Sequence, residues 1–194
     1  MIGCGPIGLL LIQVLRAAGA RSVVAADPLP HRREAATKFG ADLVIDPGTA
    51  RGTAGEWDGF GKLAGDGNAG TDRDTGGGTG GVNVAFEIAG TDKGVRLALD
   101  AVRPGGRVVL AGIPDDDLTT FSASVARRKG VTIALVRRMN EAYPRAISMA
   151  ARGQVDLGPV VTHHFPLTDV AGAFGVANRR TGLKVIVGPA PDQP

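Results

Sequence analysis

The stretch from Met1 to Asp27 constrains this chain more than any other. It reads M-I-G-C-G-P-I-G, then an apolar run, then V-V-A-A-D. Gly3, Gly5 and Gly8 give the spacing G-x-G-x-x-G, and Asp27 stands nineteen positions after the last of them. Gly3 permits a tight turn out of a strand, Gly5 lets the main chain approach a pyrophosphate, and Gly8 lets the next helix pack on the sheet. The positive end of that helix would face the phosphates, so the loop needs no basic residue. Asp27, closing the next strand, is placed to accept hydrogen bonds from a ribose diol. Turn, helix, strand and acid in this order point to a dinucleotide site.

The segments that follow keep the same rhythm. Ile7, Leu10, Leu11, Val14, Leu15 and Ala18 mark one helical face, ended by Gly19. Ser22 to Ala26 reads as a strand, His31 to Phe39 as a helix stopped by Gly40, and Leu43 to Ile45 as a strand. This β-α-β-α-β order is half of a doubly wound fold. Residues 48–81 interrupt it. Thirteen of those 34 residues are glycine, with no three-residue period, which favours a mobile insertion. Glu56 to Ala64 is the one helical candidate inside it, a weak one with two internal glycines, and Trp57 is read as its anchor. Beyond it come a strand at Asn83 to Ile88, a helix at Asp92 to Val102, a turn at Pro104-Gly105-Gly106 and a strand at Arg107 to Ala111. Val131 to Val136 makes a sixth strand, and Tyr143 to Arg152 a helix with Pro144 in its first turn.

These elements predict an α/β, doubly wound parallel sheet of the Rossmann type, in the order 3-2-1-4-5-6, with ligands across the carboxyl ends. The first strand is cut short. Only Met1 and Ile2 precede Gly3, where a central strand of five or six residues is usual. The expectation is a start inside a longer protein, with unpaired backbone on both neighbouring strands. Residues 158–194 offer two strands and a helix (Thr168 to Asn178) that have no place in a complete six-stranded sheet. The expected division is therefore a dinucleotide-binding domain over 1–157 and a C-terminal segment over 158–194 that packs on a catalytic domain absent here.

Composition narrows the partners. One cysteine excludes an internal disulfide framework and fits a reducing compartment, so a cytoplasmic location is expected. Four Arg-Arg pairs are scattered among elements rather than gathered, and the net charge is only +3, which argues against nucleic acid. No stretch reaches transmembrane length, so no membrane partner is expected. Metal chemistry finds few donors: Cys4 sits inside the glycine turn, and His31, His163 and His164 are the only histidines. Cys4 is read as a packing residue, and Glu87, ending a strand at the cleft, as a structural hydrogen-bonding group.

Several segments together resemble the zinc-dependent medium-chain alcohol dehydrogenases, most closely the sorbitol (polyol) dehydrogenase branch. The carriers are G-C-G-P-I-G, V-V-A-A-D, A-F-E-I-A-G, R-P-G-G-R-V-V-L-A-G-I-P, Y-P-R-A-I, V-V-T-H-H-F-P-L and G-L-K-V-I-V, in the family's order. The resemblance implies NAD held by backbone near Gly3, Gly5, Pro6, Ile7 and Gly8, with Asp27 on the adenosine ribose and Arg32 beside it. Pro28 stands where NADP-preferring relatives tend to carry a basic residue, which favours NAD. Ala89 and Gly90 would flank the cofactor, and Ala111, Gly112 and Ile113 would meet its nicotinamide end. Leu135, Val136 and Arg137 would follow them there, with Arg137 or Arg138 reaching the substrate. The resemblance further implies a small alcohol or polyol as substrate and a homo-oligomer formed through strand 131–136.

The family's zinc ligands and proton relay belong to a preceding domain with no counterpart in this sequence. The expected role is thus the NAD-binding portion of a polyol or alcohol dehydrogenase, binding no zinc and not catalytic alone. Two other readings compete. One is a non-catalytic dinucleotide-binding module or subunit, the other a methyltransferase with a similar glycine loop.

Overall fold

The computed structural model describes residues 1–48, 80–139 and 141–189. The expected helix at 56–64 and its Trp57 lie outside the described residues. Within them, chain order gives α1 (Pro6–Ala17), β1 (Val24–Ala26), α2 (Pro30–Lys38), β2 (Leu43–Ile45), β3 (Val82–Glu87), α3 (Asp92–Ala101), β4 (Val102–Leu110), α4 (Ala123–Lys129), β5 (Thr132–Leu135) and α5 (Tyr143–Ala151). The tail adds β6 (Val161–Pro166), α6 (Val170–Arg179) and β7 (Lys184–Gly188).

β2 pairs with β1, and β3 with β4 and β4 with β5, all in parallel. Ile2 joins the two halves by bridging to Ala26 on one side and Glu87 on the other. Its N–H donates to Phe86 O at 2.8 Å and its carbonyl accepts from Ile88 N at 2.9 Å. On the other side Met1 O accepts from Ala26 N at 2.8 Å, and Gly3 N donates to Ala26 O at 2.9 Å. With the Ile2 segment counted first, this is the 3-2-1-4-5-6 order that the sequence predicts. Below Met1 the seam opens into a cavity of about 280 Å³ between β1 and β3, lined by Val23, Val24, Val82, Val84 and Phe86. Val84, on a central strand, is left 39% exposed there.

Two apolar clusters hold the layers together. Leu9 and Ile12 of α1 and Ala36 of α2 pack with Cys4, Val23 and Ala25. Val95, Ala98 and Leu99 of α3 pack with Ile2, Ala85 and Val108. Met1 packs against the first cluster and Ile2 lies in the second, as alternate strand residues point to opposite faces. Thr91 caps α3 by accepting from Gly94 N at 3.1 Å. The ammonium of Lys129 donates to Leu99, Asp100 and Val102 carbonyls at 2.7–2.9 Å, satisfying the end of that helix.

One local reading needs correction. Pro104-Gly105-Gly106 is no separate turn. It lies inside β4, absorbed as an irregularity between the pairs Val82–Val102 and Val84–Arg107, with Gly105 at φ +70°. In the tail, β6 runs from Val161 to Pro166 and places His163 and His164 on opposite faces. β6 and β7 form their own parallel two-stranded sheet, with α6 as the crossover. This unit is tied to α1, because Gln13 Nε2 donates to Asp156 O at 2.9 Å and Gln13 Oε1 accepts from Asp156 N at 2.7 Å. No described helix is long and apolar enough to cross a membrane.

Candidate dinucleotide site

The glycine turn lies at the switch point of the sheet, where connections leave in opposite directions. Gly3 takes φ +94°, and a Cβ built there would come 3.0 Å from Ala89 N. Gly5 is the N-cap of α1 and Pro6 its first residue; no side chain caps the helix and no acid lies in its first turn. That leaves the positive end of α1 to any anion in the cleft. A Cβ on Gly8 would meet Gly3 O at 2.0 Å, so only glycine lets α1 start this close to the turn.

Asp27 is joined to the turn directly. Its Oδ2 accepts from Cys4 N at 2.8 Å and its Oδ1 from Leu29 N at 2.9 Å, and the residue is 3% exposed. The carboxylate is therefore already engaged by backbone, and each oxygen keeps a lone pair that these bonds do not use. Arg32 leans over the turn. Its Nη1 would lie 3.7 Å from a Cβ on Gly5, and its Nε is buried without a partner among the described residues. A guanidinium with a spare buried donor beside an uncapped helix start suits a diphosphate.

Arg33, which the sequence reading passed over, does the local tethering. Its Nη1 donates to Asp27 O at 2.8 Å and Pro28 O at 2.9 Å and pairs with Asp46 at 3.1 Å. The available signal was its place one turn into the helix that follows Asp27. Cys4 is fully buried, and burial, then the neighbouring Asp27 carboxylate, push its thiol up to about 12. It packs, and only its main-chain N–H serves the site.

The other half of the cleft is built on Glu87, 1% exposed. Its Oε1 accepts from Gly90 N at 2.8 Å. Its main-chain carbonyl accepts from Ala111 N at 2.9 Å and Gly112 N at 3.0 Å. Burial raises the Glu87 carboxyl above its ordinary range, opposed by the N–H groups of Thr91, Gly90 and Ala89. Gly90, at φ +68°, touches the next loop so closely that a Cβ would meet Ile113 O at 2.4 Å. Gly3, Ala89, Gly90, Ala111, Gly112 and Ile113 thus form one continuous floor. Ile113 itself is 76% exposed.

Leu135 pairs with Leu110, and Val136 N donates to Leu110 O at 2.9 Å, bringing the end of β5 beside Ala111. Both side chains are exposed. Arg137 and Arg138 follow as exposed residues, and among the described residues no hydrogen bond or ion pair fastens either to the floor.

Zinc does not fit. Among the described residues no group of three or more His, Cys, Asp or Glu is close enough to hold a metal ion. Cys4 is a buried, protonated thiol bordering the turn, and His163 and His164 face away from one another.

The fold and this floor define a dinucleotide-binding domain of the Rossmann type. Residues 6–152 match the model of the family described as zinc-binding dehydrogenase, and the chain belongs to that family. The chain is 32% identical to the L-threonine 3-dehydrogenase of Caldanaerobacter subterraneus subsp. tengcongensis over 175 residues, 87% of this chain and 45% of that protein. It is also 32% identical to the sorbitol dehydrogenase of Macaca fascicularis over 187 residues, 95% of this chain and 47% of that one. Among solved structures, the 2R,3R-butanediol dehydrogenase of Bacillus subtilis superposes with a TM-score of 0.77 at 26% identity, over 97% of this chain and 50% of that one. The chain spans about half the length of the curated relatives it matches.

Proposed function

We propose that this chain is the NAD-binding portion of a zinc-type alcohol or polyol dehydrogenase, over 1–157, with 158–194 as the segment that meets the catalytic domain. One observation carries the reading: the 2.8 Å bond from Cys4 N to Asp27 Oδ2, which sets the glycine turn and the acid side by side as a diphosphate and its ribose require. In this reading Gly5, Pro6, Ile7 and Gly8 present main-chain amides to the diphosphate, Arg32 adds a cation, and Asp27 accepts from the ribose hydroxyls. Ala89 and Gly90 flank the cofactor, and Ala111, Gly112 and Ile113 meet its nicotinamide end, with Leu135, Val136 and Arg137 following them there. Arg137 or Arg138 then contacts the substrate. NAD supplies a hydride acceptor; the residues of this chain bind and orient it.

The sorbitol dehydrogenase match supports a polyol, while the equal identity to a threonine dehydrogenase leaves the alcohol itself to experiment. A homo-oligomer through β5, an edge strand of the sheet among the described residues, belongs to the same proposal. The decisive test is calorimetry of the chain against NAD and S-adenosylmethionine. Binding of NAD alone is expected; binding of S-adenosylmethionine alone would overturn the reading. Turnover of sorbitol, xylitol or simple alcohols by this chain with NAD and zinc would overturn the division of labour.

A further inference from the structure

Glu87 is nearly inaccessible, yet the loops after β3 and after β4 both touch it. Its Oε1 accepts from Gly90 N at 2.8 Å, and its main-chain carbonyl takes the N–H groups of both Ala111 and Gly112. A Cβ built on Gly112 would lie 2.5 Å from its Oε2, and one on Gly94 2.5 Å from its Oε1. The carboxylate is thus wedged between the loop after β3, the loop after β4 and the first turn of α3. None of these contacts involves Gly5, Gly8 or Asp27, which hold the other half of the cleft.

We propose that Glu87 is a positioning residue for the nicotinamide half of the bound dinucleotide: it sets the distance between the Ala89–Gly90 and Ala111–Ile113 loops that seat that half. The inference rests on the NAD-binding reading above. A carboxylate suits this place because it accepts in several directions at once and can face Gly90 N, Gly112 and Gly94 together. A glutamine offers one accepting oxygen and turns two donors toward N–H groups that are donors themselves.

The test uses the full chain, its Glu87→Gln variant and a second variant, Gly94→Ala. The three heavy atoms nearest a Gly94 Cβ all belong to the Glu87 side chain, so it displaces the carboxylate while leaving its charge, at a helix position that alanine favours. Affinities for NAD and for ADP-ribose, which lacks the nicotinamide ring, are measured by calorimetry, with melting curves to establish folding. Both variants are expected to lose about tenfold in NAD affinity, the scale of one charge-assisted hydrogen bond, and to keep ADP-ribose affinity within about twofold. Equal losses for the two ligands would make Glu87 a general structural residue and overturn the proposal, as would unchanged NAD affinity. If the unaltered chain binds ADP-ribose but not NAD, the proposal falls and a nucleotide site survives; if it binds neither, the NAD-binding reading itself falls.

Discussion

Asp27 has one task seen in this fold, the clamp on the glycine turn, and one proposed, the ribose contact, and replacing it separates them. In Asp27→Ala the N–H of Cys4 loses its acceptor in a fully buried place, and the N–H of Leu29 loses one in a half-buried place. An orphaned buried donor costs about 1–3 kcal/mol, and a half-buried one recovers water, so the loss of stability should be about 2–3 kcal/mol. Asp27→Asn keeps one accepting oxygen and should lose about half as much. Urea unfolding followed by circular dichroism reads this as a lower midpoint at unchanged slope. The ribose role adds a separate loss of about 1–3 kcal/mol in NAD affinity, measured by calorimetry well below the midpoint. A wild-type midpoint in Asp27→Ala would refute the clamp on the glycine turn. Unchanged NAD affinity would refute the ribose contact, even with stability lost.

Gly8→Ala places a Cβ 2.0 Å from Gly3 O, so turn and helix must part by about an ångström; about 1–3 kcal/mol of destabilisation is expected despite alanine's better helix propensity. Gly19→Ala, with no heavy atom within 4 Å of its Cβ, should cost only the roughly 1 kcal/mol of a left-handed backbone, and equal midpoints for the two variants would refute the close packing at Gly8. The Cys4 thiol, buried and pushed up to about 12, should resist a disulfide reagent at neutral pH until the chain unfolds; rapid labelling of the native protein would contradict its placement. Desolvation opposes ionisation of Asp42, but the Val23 N–H and the Arg16 guanidinium outweigh it and hold the carboxyl below 3.8. Its stabilising effect is therefore present above pH 3.8 and lost as the pH falls through the lower folded value, so the stability gap between wild type and Asp42→Asn should close on acidification. A gap that stays constant down to pH 2 would refute the assignment.

Much of the site was legible in the chain because its requirements are local. A glycine turn followed by a helix and a strand brings Gly3, Gly5, Gly8 and Asp27 together over only 27 residues, through steps that main-chain sterics and strand alternation dictate. The sheet order followed from the same β-α-β rhythm, since parallel neighbours leave few ways to connect them. The glycines within β4 misled for a physical reason. Pro-Gly-Gly reads as a turn in isolation, but pairing with β3 on both sides of it keeps the segment within β4 and turns the extra residues into a bulge.

The sequence by itself determined that a doubly wound layer forms, where its glycine turn lies, and which acid stands beside that turn. Tertiary structure alone decided that Asp27 is held by Cys4 N and Leu29 N, that Arg32 lies across Gly5, and that Glu87 joins two loops separated by about twenty residues. Those contacts arise because parallel strands bring their carboxyl ends to one edge of the sheet, whatever the length of chain between them. A linear pattern carries spacing along the chain; it does not carry which carbonyl a buried side chain faces once the sheet has formed.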